Sequence, residues 1–525
     1  MLYDLSHETP PQDGVTCDIA ILGGGIAGLV LARQLHGRGL RCVVIESGSE
    51  RHVPSDPLYG DVAFRRRTYS GATEGRVRGL GGTSVKWGGA LLPLRDEDLL
   101  PRPELGHPGW PFGPEVLAEH LSEAERIFGL DHSAFEVDPA RIGARPAAGF
   151  VPREAKWPTF RNRNVAYLFD AMLRDADGPA VWLNATARDF DVRDGVVDHV
   201  VCHGPEGRRL KIRATSFVMA AGAIETTRLM LLLDQQTQGV AVTGRKHLGL
   251  YFQDHLSAPL GRIETDKPGR LNDMFGFRFD GAVMRSLRFE RAAPDGAAGF
   301  AHIAPHATVA TGFDAVKDFV RSLQARRPNP TALARAARHA PYIARLAWWR
   351  YGRHRLLWPA PAEYHVHFVT EQAALARNRI VLGARKDAFG HPVTEIDWDI
   401  DAGDLEIFRS LCLRFERYWR ESGLEHLGRL SWPVRPEALS IDDIRGVDDI
   451  YHPVGTTRLA DSADRGVVNA DLRVFGIDNV YLAATSVLPN GGSANPTMTL
   501  ILLVLRLADH LNAELTRMGR AGRAG

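Results

Sequence analysis

A chain of 525 residues, 44% hydrophobic and 24% charged, has ample material for a globular core. Its length suits about three domains or one large two-part enzyme. A formal net charge of +1 excludes a molecule built as a whole to attract nucleic acid. Four scattered cysteines (Cys17, Cys42, Cys202, Cys412), with no CxxC or Cys/His spacing, exclude a structural zinc and a disulfide framework. No 18-residue apolar run appears, and the polar start MLYDLSHETPPQDG lacks a basic-then-apolar pattern. Neither a membrane-spanning helix nor a signal peptide is therefore expected, and the reduced cysteines suit a cytoplasmic location.

The first motif lies between Cys17 and Gly48. Asp18 to Leu22 reads as a short apolar strand, Gly23, Gly25 and Gly28 form G-x-G-x-x-G, and helical periodicity runs to Leu35. A second apolar strand, Arg41 to Ile45, ends at Glu46, 18 residues after Gly28. Glycines permit the tight turn and close approach to a pyrophosphate, and the helix N-terminus stabilises its charge. Glu46 stands where a carboxylate accepts ribose hydroxyls. The pattern predicts a dinucleotide site without separating NAD from FAD.

RVRGLGGTSVKWGGALLPL follows, with Gly79, Gly81, Gly82, Gly88 and Gly89 inside eleven residues. This stretch forms neither a good helix nor a central strand. It lets backbone pass close to something flat or charged, with Thr83 and Ser84 offering hydroxyls. Gly109 to Leu130 reads as a loop and an amphipathic helix. Ser216 to Leu232 reads as a strand, a Gly-Ala turn and a helix. Val316 to Arg355 carries ten Lys or Arg against one Asp, with Leu346, Trp348, Trp349 and Tyr351 interleaved. It is read as a helical pair on the substrate side, with membrane-surface or protein docking, or a lid or anionic-substrate entrance at the active site, as the alternatives. EYHVHFV alternates, so His365 and His367 share a strand face, either toward a substrate or in packing.

Near the end, YHPVGTTRL holds His452, and NGGSANPTMTLILLVLRLADHL begins a helix. Asn495 is a good N-cap and Pro496 a good first residue. That helix start directs free amides at whatever faces it. The last residues, TRMGRAGRAG, read as a disordered tail.

These segments, in this order, resemble the glucose-methanol-choline (GMC) oxidoreductases, FAD flavoproteins, and most closely bacterial sugar-oxidising members. The resemblance implies an α/β fold: a discontinuous Rossmann-like FAD-binding domain (1–95, 155–260, 440–525) and an α+β substrate domain on an antiparallel sheet (96–154, 261–439). It implies catalytic His452 and Asn495 flanking the flavin, His452 as base and Asn495 as hydrogen-bond donor. It places the cofactor against Gly23, Gly25, Ile26, Ala27, Gly28, Glu46, Ser47, Gly81, Gly82, Thr83, Ser84, Trp87, Gly88, Gly89, Ala187, Ala221, Gly222, Thr485, Asn495 and Thr497. His365 and His367 are substrate candidates, and no metal is expected. His255, in a Gly…Asp-His loop, is read as supporting the flavin. Lys86 occupies the position at which some members attach FAD through histidine, so non-covalent FAD is expected. Ala484 stands where many members carry an acidic residue.

The implied reaction is oxidation of a CH–OH group of a carbohydrate, glycoside or polyol by hydride transfer to the flavin. Electrons then pass to oxygen, a quinone or a protein acceptor, and no nucleic-acid partner is expected. The rivals are a non-redox FAD lyase, a subunit of a membrane-docked dehydrogenase complex, a flavin-binding protein with no catalysis, and an oxidoreductase for a sterol or simple alcohol.

Overall fold

The computed structural model describes residues 1–51, 62–291, 295–307, 340–445, 448–449 and 451–524. Strand β1 (Val15–Leu22) is an unbroken apolar run toward its end, the pattern of a strand covered on both faces. It leads into helix α1 (Ile26–His36) and returns through β2 (Cys42–Ile45), which pairs parallel to it from Ile19↔Cys42 to Leu22↔Ile45. On its other side β1 pairs parallel with β3 (Arg209–Met219), which turns at Ala220 and Ala221 into helix α2 (Gly222–Gln236). Strand Val480–Leu482 joins the end of β3, also parallel. Antiparallel strands Thr186–Arg193 and Val196–His203 extend the sheet past β3, and Ala180–Leu183 and Leu2–Asp4 extend it past β2.

A second, antiparallel sheet contains β4 (His255–Glu264), β5 (Val283–Arg291), β6 (Gly299–Ala307) and β7 (Ala362–Glu371) in the spatial order β5-β6-β7-β4. Its back face packs on helix α3 (Ala402–Glu421), started by Asp401 in a capping box with Asp404. Phe415 of that helix lies 5.6 Å from Phe289 and 5.5 Å from Phe368, ring centre to ring centre. Alternation along the strands therefore turns Arg288, Phe300, His367 and Glu371 to the front. The expected antiparallel sheet is present. The domain boundaries expected at 154/155 and 260/261 fall inside strands: Phe150–Trp157 pairs with β5 throughout its length, and β4 belongs wholly to the second sheet.

The closing helix α4 (Pro496–Ala524) packs against α1. Its backbone continues through most of the stretch expected as a disordered tail, a correction to that reading. The basic segment from Val316 lies outside the described residues as far as position 339. Beyond it, helix Ala340–Ala347 runs into the turn Trp348–Gly352, where Arg350 sits 3.5 Å over the Phe279 ring and Arg353 4.2 Å over Trp349. Trp348 and Tyr351 are exposed. No helix among the described residues is long and apolar enough to cross a membrane.

Candidate active site

A cleft of about 720 Å³ opens where the carboxyl ends of β1, β2 and β3 meet the second sheet. That is where an open parallel sheet binds ligands, and the volume suits an organic cofactor. Gly23, Gly25, Ile26 and Ala27 line one end, at the N-terminus of α1. A Cβ on Gly25 would find its nearest neighbour 3.9 Å away, so it would stand in the cleft. Gly28 lies outside the lining and does another job: a Cβ there would strike the Gly23 carbonyl at 1.9 Å, so it lets the helix close onto the strand.

Glu46 is buried at the end of β2. Its Oε2 accepts from the Gly24 amide at 2.9 Å, and its Oε1 from Gly48 at 2.8 Å and Gly79 at 3.1 Å. Burial pushes its carboxyl above the ordinary range, and the Gly48 and Gly24 amides pull the other way. One carboxylate thus ties the first glycine motif to the second, a role that sequence spacing did not suggest. It also borders the cleft beside Ser47.

The second glycine cluster forms a tight turn, Gly82–Val85. Gly82, with φ +53, would bring a Cβ within 2.9 Å of the Gly25 Cα, so the two glycine loops pack backbone to backbone. Gly82, Thr83, Trp87, Gly88 and Gly89 line the cleft, as do Ala187, Ala221, Gly222, Thr485, Asn495 and Thr497. Gly81 and Ser84 stand behind that wall. Ser84 Oγ donates to the Gly81 carbonyl at 2.5 Å and accepts from the Val165 amide at 3.1 Å. Lys86 and Ala484 also border the cleft. Helix-start amides at one end, glycine-lined walls and an acidic clamp suit a dinucleotide with a flat ring at the far end.

At that far end His452 meets Asn495, with Asn495 Nδ2 3.2 Å from His452 Nε2. Both residues line the cleft. The hydrogen-bond pattern fixes which atoms carry protons. Gly492 O can only accept, so His255 Nε2, 2.8 Å away, carries a hydrogen. Burial holds both histidines below the usual range, and His452 well below it because His255 and the Arg288 charge add to burial. With His255 neutral, its Nδ1 is bare and accepts from His452 Nδ1 at 3.1 Å. His452 Nε2 is then the bare nitrogen, and Asn495 donates to it. On the other side of the amide, Asn495 Oδ1 accepts from Arg288 Nη1 at 2.9 Å. Arginine has no acceptor, so this bond sets the amide's orientation.

The backbone is pinned as well. Asp254 Oδ1 accepts from the His452 amide at 2.7 Å and the His255 amide at 2.6 Å, and Tyr69 donates to Asp254 Oδ2 at 2.7 Å. Glu290, buried, is paired with Arg153 and with Arg288 at 2.5 Å. Glu371, buried, is paired with Arg102 and accepts from the Gly492 amide at 2.8 Å. These charges hold the loop carrying Asn495 against the second sheet. Both ends of the Asn495 side chain serve Arg288 and His452, so it is a bridge here rather than the helix cap its position suggested.

His255 therefore does more than support a loop: it sets the tautomer of His452. Arg288 went unnoticed because nothing in its own segment marks it. His365 and His367 lie on the front of β7, joined by His306 and His302 of β6. His302 and His367 stack at 5.0 Å, and His306 and His365 at 5.1 Å. Away from the cleft, the structure gathers Asp189, His203 and His391, their ligand atoms within 4.8 Å of one another, a set the sequence reading did not bring together.

Residues 374–503 match the family model of the GMC oxidoreductases, and residues 21–51 that of an NAD(P)-binding Rossmann-like domain. The paromamine 6'-oxidase of Streptomyces fradiae is 26% identical, over 96% of this chain and 93% of its own. The 6'''-hydroxyparomomycin C oxidase of Streptomyces lividus is 25% identical over 95% and 92%. The 2-methyl-1,2-propanediol dehydrogenase of Mycolicibacterium austroafricanum is 21% identical over 95% and 96%. Among solved structures, a formate oxidase of Aspergillus oryzae shares the fold at a TM-score of 0.55 and 16% identity, covering 96% of this chain and 99% of that one. The two glycine loops, the cleft between them and the full-length relatives agree: this chain is an FAD-containing oxidoreductase whose residues 374–503 carry the C-terminal domain of the GMC oxidoreductases.

Proposed function

We propose that the enzyme oxidises a CH–OH group of a carbohydrate, glycoside or polyol to a carbonyl, with His452 as base. The observation that carries this reading is the bare His452 Nε2 beside the donating Asn495 amide, 3.2 Å apart at the end of the cleft. Bound FAD supplies an oxidised ring system able to accept a hydride. The chain's own groups do the rest. His452 Nε2 takes the substrate hydroxyl proton, and the Asn495 amide donates to the same oxygen as it gains negative charge. His255 keeps the hydrogen on His452 Nδ1, so the correct nitrogen stays bare. Burial and the Arg288 charge keep that nitrogen unprotonated at neutral pH and make the imidazolium short-lived once the proton arrives.

The full-length relatives, named for alcohol-group oxidation of aminoglycosides and of a diol, support the substrate class. FAD is held non-covalently in this reading, since Lys86 borders the cleft where a histidine would be needed for attachment. Acid precipitation should leave the flavin in the supernatant. Oxygen, a quinone or a protein is the second acceptor. A reducing, cytoplasmic location fits the four free, buried cysteines.

Anaerobic addition of monosaccharides, glycosides, polyols, sterols and simple alcohols to the flavin-loaded protein tests the proposal. One polyhydroxy class should bleach the oxidised-flavin band, and the speed of recovery in air or with a quinone identifies the acceptor. Release of an aldehyde from a cyanohydrin with no bleaching by any alcohol would replace this reading with a lyase.

A further inference from the structure

The front face of the second sheet runs outward from the catalytic histidine in rows fixed by strand register. In the innermost row Glu371 stands opposite His255, and His255 touches His452. The next row sets Ser257 opposite Val369, and Val369 opposite Phe300. Arg288 lies over the Phe300 ring at 4.1 Å, so this row reaches Asn495 as well. The third row holds Pro259, His367 and His302, and His365 and His306 follow at the outer end of the same face. At about 3.3 Å per residue, His367 lies about 13 Å along the strand from the innermost row, and His365 about 20 Å. That exceeds the reach of a short alcohol bound at His452 and matches a substrate of two or more rings.

The chemistry of the outer rows is specific. His302 Nδ1 is buried and has no hydrogen-bond partner among the described residues. Burial, with the neighbouring imidazoles and, for His302, the Arg288 charge, pushes His302 down to about 3 and His367 to about 4. Both are neutral imidazoles at ordinary pH, each able to donate and to accept. The carboxylates of this face are occupied: Glu371 by Arg102, Glu290 by Arg153 and Arg288, and Glu363 at the rim by His365 and Arg262. A substrate carrying ammonium groups would meet the Arg288 charge and find no unpaired carboxylate on this face among the described residues. A substrate carrying hydroxyls would find nitrogen donors and acceptors.

Resting on the alcohol-oxidising reading, we propose that His302 and His367, with His306 and His365 at the mouth, form a distal subsite for a neutral, hydroxyl-rich extension of the substrate. Amino sugars of the kind named for the Streptomyces relatives are disfavoured. His302→Phe and His367→Phe retain an aromatic ring and remove the nitrogens. The probes are propane-1,2-diol, a panel of neutral disaccharides, and paromamine, each given to the flavin-loaded enzyme.

Wild type should prefer its best disaccharide to paromamine by at least about tenfold in kcat/KM. Each variant should raise KM for the disaccharide by about tenfold, the scale of one lost hydrogen-bond partner. It should leave kcat, and both constants for the diol, within about twofold of wild type. Equal use of paromamine, or parallel losses on diol and disaccharide, or no change on either, would overturn the subsite. If wild type oxidises no alcohol, the reading beneath the proposal fails, and calorimetric binding of the same disaccharides still decides the subsite. Binding weakened in both variants sustains it; binding that is absent, or equal in all three proteins, removes it.

Discussion

Arg288 and Asn495, 207 positions apart in the chain, are joined by a 2.9 Å hydrogen bond that points the Asn495 amide at His452. The guanidinium is itself held by Glu290, so the orientation is imposed from the sheet rather than from the helix that Asn495 precedes. Replacing Arg288 with Gln should therefore let the amide turn. It also removes a positive charge that depresses the His452 pKa. The expected outcome is a fall in kcat of about a hundredfold, the scale of a misplaced reacting group. The acid limb of the kcat/KM profile should also move to higher pH. A stopped-flow pH series on the reductive half-reaction reads both, and an unmoved acid limb would show that Arg288 does not act through His452.

His452→Ala should lower the rate of flavin bleaching by about 10²–10⁴-fold, the usual contribution of a general base. Flavin content should stay close to wild type, because most of the cleft wall is made by the two glycine loops and other segments. In wild type the depressed pKa of His452 keeps its base form through the neutral range. Activity should stay level from pH 8 down past the ordinary histidine value of about 6.5 and fall only below it.

Glu46→Gln replaces a carboxylate that accepts three glycine amides with a group whose NH₂ end must face some of them. The two glycine loops should separate, and FAD should dissociate at least about tenfold more readily, since bonds to a charged acceptor contribute about 1.5–3 kcal/mol each. Flavin fluorescence in the filtrate after dialysis measures the loss. Gly82→Ala should act in the same direction, because its Cβ would press on Gly25.

Acid should destabilise the fold through the front-face histidines. His302 and His367 titrate at about 3 and about 4 when folded, against about 6.5 when unfolded. The unfolded chain binds more protons below pH 6.5, so stability is fully present above that value and is lost as pH falls toward the folded values. The melting temperature should decline from about pH 6.5 downward. A His302→Phe, His367→Phe double variant should decline less steeply over pH 4–6, and identical slopes would assign the loss to other groups.

Local pattern made part of this molecule legible. The first glycine motif announces its strand, turn and helix because all three lie within thirty residues, and His452 stands out through its neighbours. Gly25, Gly82, Glu46 and Asn495 all border the cleft. Arg288 could not be read, because an arginine in an alternating strand carries no mark of what it faces. His302 and His306 were missed for a related reason. Their meaning comes from neighbours across a strand boundary, His302 pairing with His367 and His306 stacking diagonally on His365, which is a matter of register. The boundary near 260 was misplaced because β4 begins at the catalytic end and runs without a break in the second sheet.

The strand Val480–Leu482 has a consequence for the order in which the protein is made. It pairs with Phe217–Met219 of β3, yet it emerges from the ribosome more than two hundred residues later. At about 5–20 residues per second, that stretch of β3 waits for its neighbour for ten seconds or more. The residues that close the flavin cleft, His452, Thr485 and Asn495, arrive in the same late segment. A nascent chain therefore holds an unfinished sheet and a cofactor cleft without its last wall until that segment emerges.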